Sequence, residues 1–325
     1  DNIGLPTSGI NLAYGDNITI SNFDGEVLVS LKEGHKKSTF QYAKEIRSRL
    51  KTKFPDVQLF FQPADIVSQI LNAGLPAPID IQVTGRDKAL NFKIAQQVKE
   101  AVSKVKGAVD VTLHQIVDAP QLNFNIDRVR ANQMGFTQKD IAANVLISLS
   151  SSFQTAPSFW VNPANGVNYN VAIMTPPTKM RKIDDILSMP LTSSSSSNSS
   201  LEGRKQLLSN LASVGRSVTP SVVSHYKIQN VYNVFVNVQD RDLNGVASDI
   251  KEAIAPIEKN LPRGTFINIR GQAESMNAAF SALFGGLVFA LLLIYLLLVV
   301  NFHSWIDPLI VLGALPGAFA GIVLA

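Results

Sequence analysis

The sequence predicts an α+β fold in which repeated strand–helix–strand units precede helices that cross a membrane. Two segments, 79–113 and 231–269, each contain an apolar strand, a helix that begins at an aspartate, a turn and a second strand. Units of this kind build ferredoxin-like sandwiches with helices on one face of a sheet. An uncharged run from Ala278 to Val300 lies near the end of the chain and predicts a membrane helix.

Apolar residues four apart define the helices of the two units. In the first unit they follow Asp87, and in the second they follow Asp242, where Pro256 is expected to kink or shorten the helix. A further unit is expected earlier in the chain, with a helix after the N-cap residue Ser38. The strands expected in the three units are 26–31 and 57–61, 79–83 and 109–113, and 231–238 and 265–269, and 122–126 forms an extra strand.

Composition excludes several classes of protein. Charged residues make up only 17% of the 325 residues, where about 25% is typical of soluble domains. The net charge of +4 comes from scattered basic residues, so no nucleic-acid partner is predicted. The absence of cysteine excludes disulfides, zinc fingers and cysteine nucleophiles.

The C-terminal region predicts a helical hairpin in the membrane. A helix over 276–300 is followed by a turn at 301–307 that contains Trp305, a residue suited to the membrane interface. Residues 308–325 begin a second span, with Pro316 tolerated inside it. Because the chain stops inside this apolar run, we expect it to be a piece of a longer protein.

No catalytic motif is found, so the chain is predicted not to be an enzyme and to need no cofactor. The four histidines do not have metal-ligand spacing, and Walker A, GxGxxG and GxSxG motifs are absent. Asp184 and Asp185 are interpreted as helix-start charges rather than an acid–base pair. The five methionines are dispersed, which does not favour a thioether metal site.

Four aromatic residues have two possible roles. Phe60 and Phe61 end an expected strand, and Tyr14 and Phe23 flank a polar loop. They pack in a core or form the wall of an apolar ligand cleft, which such sites commonly use.

The order of several short segments resembles one known family of membrane transporters. Asp127, Ala131 and the residues 134–137 are similar to its D-x-x-x-A-x-x-x-G-hydrophobe-S/T segment. The other matching segments are FQPADIV at 61–67, QILN at 69–72, PAPID at 76–80, DAPQ at 118–121, GQAESM at 271–276, FHSWIDPLI at 302–310 and ALP at 314–316. Together they resemble the second half of a resistance–nodulation–division (RND) efflux pump of the hydrophobe/amphiphile class.

The resemblance implies a domain organisation. Residues 1–78 are expected to be a partial third porter subdomain, and 79–128 with 221–275 a split fourth one. Residues 129–220, which include the serine-rich stretch 192–200, are expected to be an inserted docking subdomain with a mobile loop. Residues 1–275 would lie in the periplasm of a bacterium, anchored in the inner membrane.

The resemblance also implies a site and partners. Substrate would enter a cleft between the two porter subdomains, with a base loop near Tyr14 and Phe23 and an edge at Ile79, Ile81 and Val83. The best-known drug pumps carry aromatic residues at the first two edge positions, where this chain is aliphatic. A homotrimer, a periplasmic adaptor, an outer-membrane channel and hydrophobic small-molecule substrates are implied, with proton antiport as the energy source.

Two other functions fit the same pattern. A membrane-tethered assembly or protein-export helper would also combine sandwich domains with one or two membrane helices. A periplasmic hydrolase anchored by a C-terminal helix is a further alternative. The neighbouring sequence would distinguish them, because a pump needs several more membrane helices.

Overall fold

The fold is α+β, with antiparallel sheets in two compact units. A computed structural model describes residues 2–4, 19–62, 66–72, 74–153, 155–193 and 205–313. One unit comprises residues 1–29 and 115–223, and the other comprises 30–114 and 224–325. This division differs from the predicted boundaries, because residues 30–78 group with the second unit and residues 115–128 with the first.

A five-stranded antiparallel sheet is the centre of the second unit. Its strands are β3 (Ile79–Gly85), β4 (Ala108–Leu113), β11 (His225–Tyr226), β12 (Gln229–Val238) and β13 (Phe266–Arg270). Strand β12 pairs with β3 on one side and with β4 and β11 on the other. Strand β13 pairs with the other edge of β3. The strands predicted for the two main units are therefore confirmed.

Two helices, α3 (Lys88–Val102) and α8 (Leu243–Lys259), pack on one face of this sheet. The side chains of Asp87 and Asp242 accept hydrogen bonds from the first turns, as N-caps do. Helix α8 continues past Pro256, so the predicted shortening is wrong. The core beneath them is a single apolar cluster, whose fully buried members include Ile79, Ile81, Val83, Val98, Val102, Val234, Val236, Val246, Ile250 and Ile254.

The second unit has further helices outside this sandwich. They are α1 (Thr39–Lys53), α2 (Ile66–Leu71), α9 (Gln272–Phe302) and α10 (Asp307–Leu312). The strands expected over 26–31 and 57–61 do not form, apart from Glu26, which pairs with Asn2. The physical reason is pairing: a lone extended segment leaves its backbone groups without partners, and neither residues 27–31 nor residues 57–61 have a partner strand among the described residues.

The first unit consists of strand pairs and short helices. Strand β5 pairs with β10 over eight residues each, although the sequence placed β5 in the fourth subdomain and β10 in the insert. The strands are β1 (Asn2–Ile3), β2 (Gly25–Glu26), β5 (Ala119–Ile126), β6 (Ser158–Val161), β7 (Asn168–Val171), β8 (Pro190–Thr192), β9 (Lys205–Leu207) and β10 (Ala212–Thr219). The helices are α4 (Arg128–Gln133), α5 (Gln138–Leu149), α6 (Ile183–Leu187) and α7 (Leu208–Leu211).

A small core holds the helices of the first unit to strand β8 and to the end of β5. Phe136, Ile141 and Leu208 are among its fully buried members. Thr137 and Asp140 form a capping box at the start of α5, in which each side chain accepts a hydrogen bond from the backbone N–H of the other residue. Most of the serine-rich stretch lies outside the described residues.

Helix α9 has 31 residues and includes the predicted membrane segment. Its most apolar window has a mean hydropathy of 2.9, and none of that window is buried inside the protein. By length and composition it can cross a bilayer, and it is the one such helix in the described part of the chain. Of the expected second span, only α10 is described, and residues 314–325 lie outside the described residues.

The turn that joins β13 to α9 requires glycine. Gly271 has φ +95° and ψ −155°, a region that is essentially restricted to glycine. A Cβ at this position would lie 2.7 Å from the Pro78 carbonyl oxygen, which is an impossible contact. The backbone of the sheet and the start of α9 therefore lie directly against each other.

We expect Gly271→Ala to destabilise the second unit by about 1–3 kcal/mol, because alanine disfavours this conformation and collides with Pro78. Thermal unfolding of the purified protein in detergent measures the effect. Gly215→Ala is the control, since a Cβ there meets nothing within 4 Å, and its effect should stay within about 0.5 kcal/mol. Equal melting temperatures for the two variants would contradict the prediction.

Candidate substrate-binding face

The face of the sheet opposite α3 and α8 is polar and yet shielded from water. Alternation along β3 and β12 places apolar residues toward the helices and polar ones on the other face. Asp80, Gln82, Thr84, Asn233 and Asn237 are all buried there. Buried polar groups require partners, so the contacts on this face show what covers it.

One cover is the segment 57–61. The Phe60 ring centroid lies 6.2 Å from that of Phe235 on β12. Asn237 Nδ2 donates a 2.6 Å hydrogen bond to the Phe61 carbonyl, and Gln58 Nε2 donates to Thr112 Oγ1 at 2.8 Å. The segment thus crosses the polar face through side-chain bonds rather than through a strand ladder.

A charged pair joins helix α1 to the same face. Arg47 donates from Nε to Asp110 Oδ1 and from Nη2 to Oδ2, both at 2.7 Å. This two-pronged geometry is the strong form of a charge-assisted hydrogen bond. The Asp110 side chain is only 4% exposed, and it accepts a third bond from Asn237 Nδ2 at 3.0 Å.

Phe61 lies under this ion pair. The Arg47 guanidinium carbon is 4.6 Å from the centroid of the Phe61 ring, within cation–π range. The Phe61 N–H points to Asp110 Oδ2 at 3.4 Å. Arg47, Asp110, Asn237 and Phe61 therefore form one connected group, which we call the Arg47 network.

Helix α1 itself buries no side chain. Its second attachment is the exposed ion pair of Lys44 with Asp240, in which the lysine holds the pKa of the Asp240 carboxyl below its usual value. The attachments of α1 are therefore polar, and those of the segment 57–61 combine polar bonds with the Phe60–Phe235 ring contact, all of them outside the apolar core under α3 and α8.

Asp80 is the second notable group on this face. Both of its carboxylate oxygens accept from Asn233 Nδ2 at 3.0 Å, and Oδ2 accepts from Gln82 Nε2 at 2.7 Å. Burial raises the pKa of Asp80 to about 6, although these two amides and the charge of Arg270 oppose the increase. The pKa of this carboxyl therefore lies well above the ordinary value for an aspartate.

The structure brings together only part of the predicted site. Phe60 and Phe61 are half-buried in the cover described above. Phe23 belongs to the first unit and is 58% exposed, and Tyr14 lies outside the described residues.

The three predicted edge residues have a different place. Ile79, Ile81 and Val83 are 0% exposed and belong to the apolar core under α3 and α8. The side chains of a strand alternate between its two faces, and these three point to the helical side. A ligand at the other face of β3 would meet Asp80 and Gln82 instead.

Sequence reasoning missed the Arg47 network and Asp80. One signal was available: β12 reads VYNVFVNV over 231–238, and asparagine recurs inside an otherwise apolar strand. Such a pattern indicates a face that is both polar and covered. The sequence offers no comparable signal that pairs Arg47 with Asp110, which are 63 positions apart.

Comparison with known proteins identifies relatives that match about four-fifths of the chain. Protein HelA of Legionella pneumophila is 28% identical over 273 residues, which cover 82% of this chain and 24% of that protein. Cation efflux system protein CusA of Escherichia coli strain K12 is 23% identical over 255 residues, which cover 78% of this chain and 23% of CusA. The cobalt-zinc-cadmium resistance protein CzcA of Cupriavidus metallidurans is 22% identical over 268 residues, which cover 82% of this chain and 24% of CzcA.

The fold has a close counterpart among solved structures. A crystal structure of a heavy metal efflux pump superposes with a TM-score of 0.66 at 22% identity, over 87% of this chain and 28% of that one. The chain thus spans about a quarter of the length of the relatives it matches. Residues 8–325 match the model of the AcrB/AcrD/AcrF family, and the chain therefore belongs to this family of RND transporters.

Proposed function

We propose that this chain is part of an inner-membrane efflux pump. The observation that carries the proposal is the family match over residues 8–325, supported by the shared fold. In this proposal, residues 1–275 form a periplasmic body, and α9 anchors it in the inner membrane. The same proposal includes a homotrimer that works with a periplasmic adaptor and an outer-membrane channel. It also includes proton antiport, with the proton pathway in membrane helices elsewhere in the protein.

Metal cations are the leading candidate substrates. Two of the relatives described above are named for cation efflux or for resistance to cobalt, zinc and cadmium, and the solved structure is of a heavy metal pump. The hydrophobe/amphiphile class expected from sequence is therefore not the class of these relatives.

Amphiphilic compounds are the second candidate, because the chain offers few side chains that could act as metal ligands. The chain has no cysteine, and the described residues contain no group of three or more His, Cys, Asp or Glu side chains that could hold a metal ion. Soft metal ions prefer sulfur ligands, and apolar molecules prefer aromatic walls such as Phe60 and Phe61 provide.

The polar attachment of segment 57–61 indicates how a site on this face would work. With the Arg47 network formed, Phe60 and Phe61 lie over the sheet. With the network broken, both rings and the polar face become accessible to a substrate. We therefore assign Phe61 as a substrate-contacting residue and Arg47 as the residue that positions it.

The substrate class is tested with the full-length gene in a host that lacks its own efflux pumps. We expect raised minimum inhibitory concentrations for cobalt, zinc, cadmium or copper salts and unchanged ones for dyes and detergents. Resistance to dyes without resistance to any metal would select the second candidate. An unchanged profile for both classes at normal protein levels would contradict the efflux proposal.

Phe61→Ala is expected to alter resistance with little change in protein level, because it removes the half-buried ring and leaves the apolar core intact. Growth inhibition across the transported compounds and immunoblotting measure the two quantities. Phe40→Ala is the control, since that ring lies on α1 of the same unit and is 87% exposed. If resistance to every compound stays the same, Phe61 is only a packing residue.

Movement of the segment can be tested by cross-linking. Gln58 and Thr112 are in direct side-chain contact, and the chain has no cysteine of its own. In a cysteine-free full-length pump, we expect a short, reducible bis-methanethiosulfonate cross-linker to join Gln58→Cys with Thr112→Cys and to abolish export, because the linker replaces the length of the Gln58 side chain. Reduction should restore export, and neither single variant should respond to the cross-linker. Full export by the cross-linked protein would show that the segment does not need to move.

A further inference from the structure

The start of helix α9 lies beside the buried carboxyl of Asp80. Arg270 ends β13 and is directly opposite Asp80 in the antiparallel ladder. Side chains directly opposite each other have Cβ atoms roughly 4.5–5.5 Å apart. Glu274, in the first turn of α9, lies with Oε2 3.6 Å from Arg270 Nη1. One guanidinium thus has a carboxyl on either side, one in the sheet and one in the membrane helix.

One hydrogen-bond donor of the Arg270 side chain has no acceptor. Its Nε is buried and has no hydrogen-bond acceptor, which is costly for a charged group. The ion pair with Glu274 is long, and both of its side chains are partly exposed, so it holds the arginine only weakly. The guanidinium also stacks on the Tyr226 ring at 4.7 Å.

The charges around this junction are few. Asp80 accepts bonds from Asn233 and Gln82, and Arg270 is the charge that acts on it. The other ionisable groups near the junction in the described residues include Glu274 on α9, Tyr226 with Lys227 beside its ring, and His114, whose ring contacts Phe235. Lys251 and Glu258 of α8 line one cavity together with Glu274.

We propose that Asp80 is a proton-binding site at the junction between the sheet and the membrane helix, and that its occupancy decides whether Arg270 pairs with Asp80 or with Glu274. When the proton is bound, Asp80 is neutral and Arg270 stays with Glu274. When the proton leaves to solvent, the new carboxylate attracts the free Nε–H of Arg270, and Glu274 is released.

Glu274 has a place to go after its release. It lines a surface cavity of about 520 Å³, and Lys251 of α8 lines the same cavity and offers a second cation. A proton on the sheet is thereby coupled to the contacts of the first turn of α9. This coupling does not depend on which substrate the pump exports.

The proposal predicts opposite shifts for two substitutions. A positive neighbour favours the ionised form of a carboxyl and lowers its pKa. Glu274→Gln releases Arg270 toward Asp80 and should lower the Asp80 midpoint. Arg270→Gln removes the cation and should raise it, whereas Arg270→Lys keeps the charge and should leave the midpoint between these two.

Infrared spectroscopy of the full-length pump in bilayers measures the midpoint directly. The band of the protonated Asp80 carboxyl is assigned by its loss in Asp80→Asn or, if Asp80→Asn does not fold, by its shift in Asp80→Glu. We expect a wild-type midpoint at about pH 6, raised by roughly one unit in Arg270→Gln and lowered by roughly half a unit in Glu274→Gln.

Glu252→Gln is the control, because it removes an exposed carboxyl from α8 without touching Arg270, and its midpoint should match the wild type. Shifts of Arg270→Gln and Glu274→Gln in the same direction would overturn the proposal. So would a Glu274→Gln midpoint equal to that of the control. A failure of the efflux proposal would leave these midpoints unaffected.

Discussion

Strand β3 is buried on both of its faces, and the rest of the second unit is arranged around this constraint. Its helical face can be filled with Ile79, Ile81 and Val83, because α3 and α8 supply an apolar surface. Its other face carries Asp80, Gln82 and Thr84, whose polar atoms lose water and must find partners inside the protein. The two faces therefore have opposite chemistry, one permanently dry and the other held by hydrogen bonds.

The two faces of β3 contribute differently to the protein. The apolar face stabilises the fold through burial, and substitutions there act mainly on folding. The polar face depends on a few directed bonds, such as those of Asp110 with Arg47 and Asn237. If the proposed site lies on this face, changes of substrate would need substitutions on that face alone and would leave the apolar core unchanged.

The sequence was sufficient where local signals agree with one another. Aspartate N-caps, apolar residues four apart and a glycine turn predicted α3 and α8 with their flanking strands. It was insufficient where pairing decides the structure. Residues 27–29 and 57–61 have strand-like composition but do not pair, and β5 pairs with β10, which follows it by about ninety residues. The cleft edge at Ile79, Ile81 and Val83 was implied by the family resemblance, and alternation alone does not tell which face of β3 the helices cover.

The glycine at the base of α9 has a mechanical consequence. Because Gly271 fits against the Pro78 carbonyl with no space for a side chain, the helix cannot pivot freely on the sheet. A rigid joint of this kind converts a small rotation into a large displacement at the far end of a rod. With 31 residues, α9 is roughly 46 Å long, and a tilt of about 5° at its base would displace its distal end by roughly 4 Å. The helix would then act as a lever that amplifies sub-ångström rearrangements of the sheet.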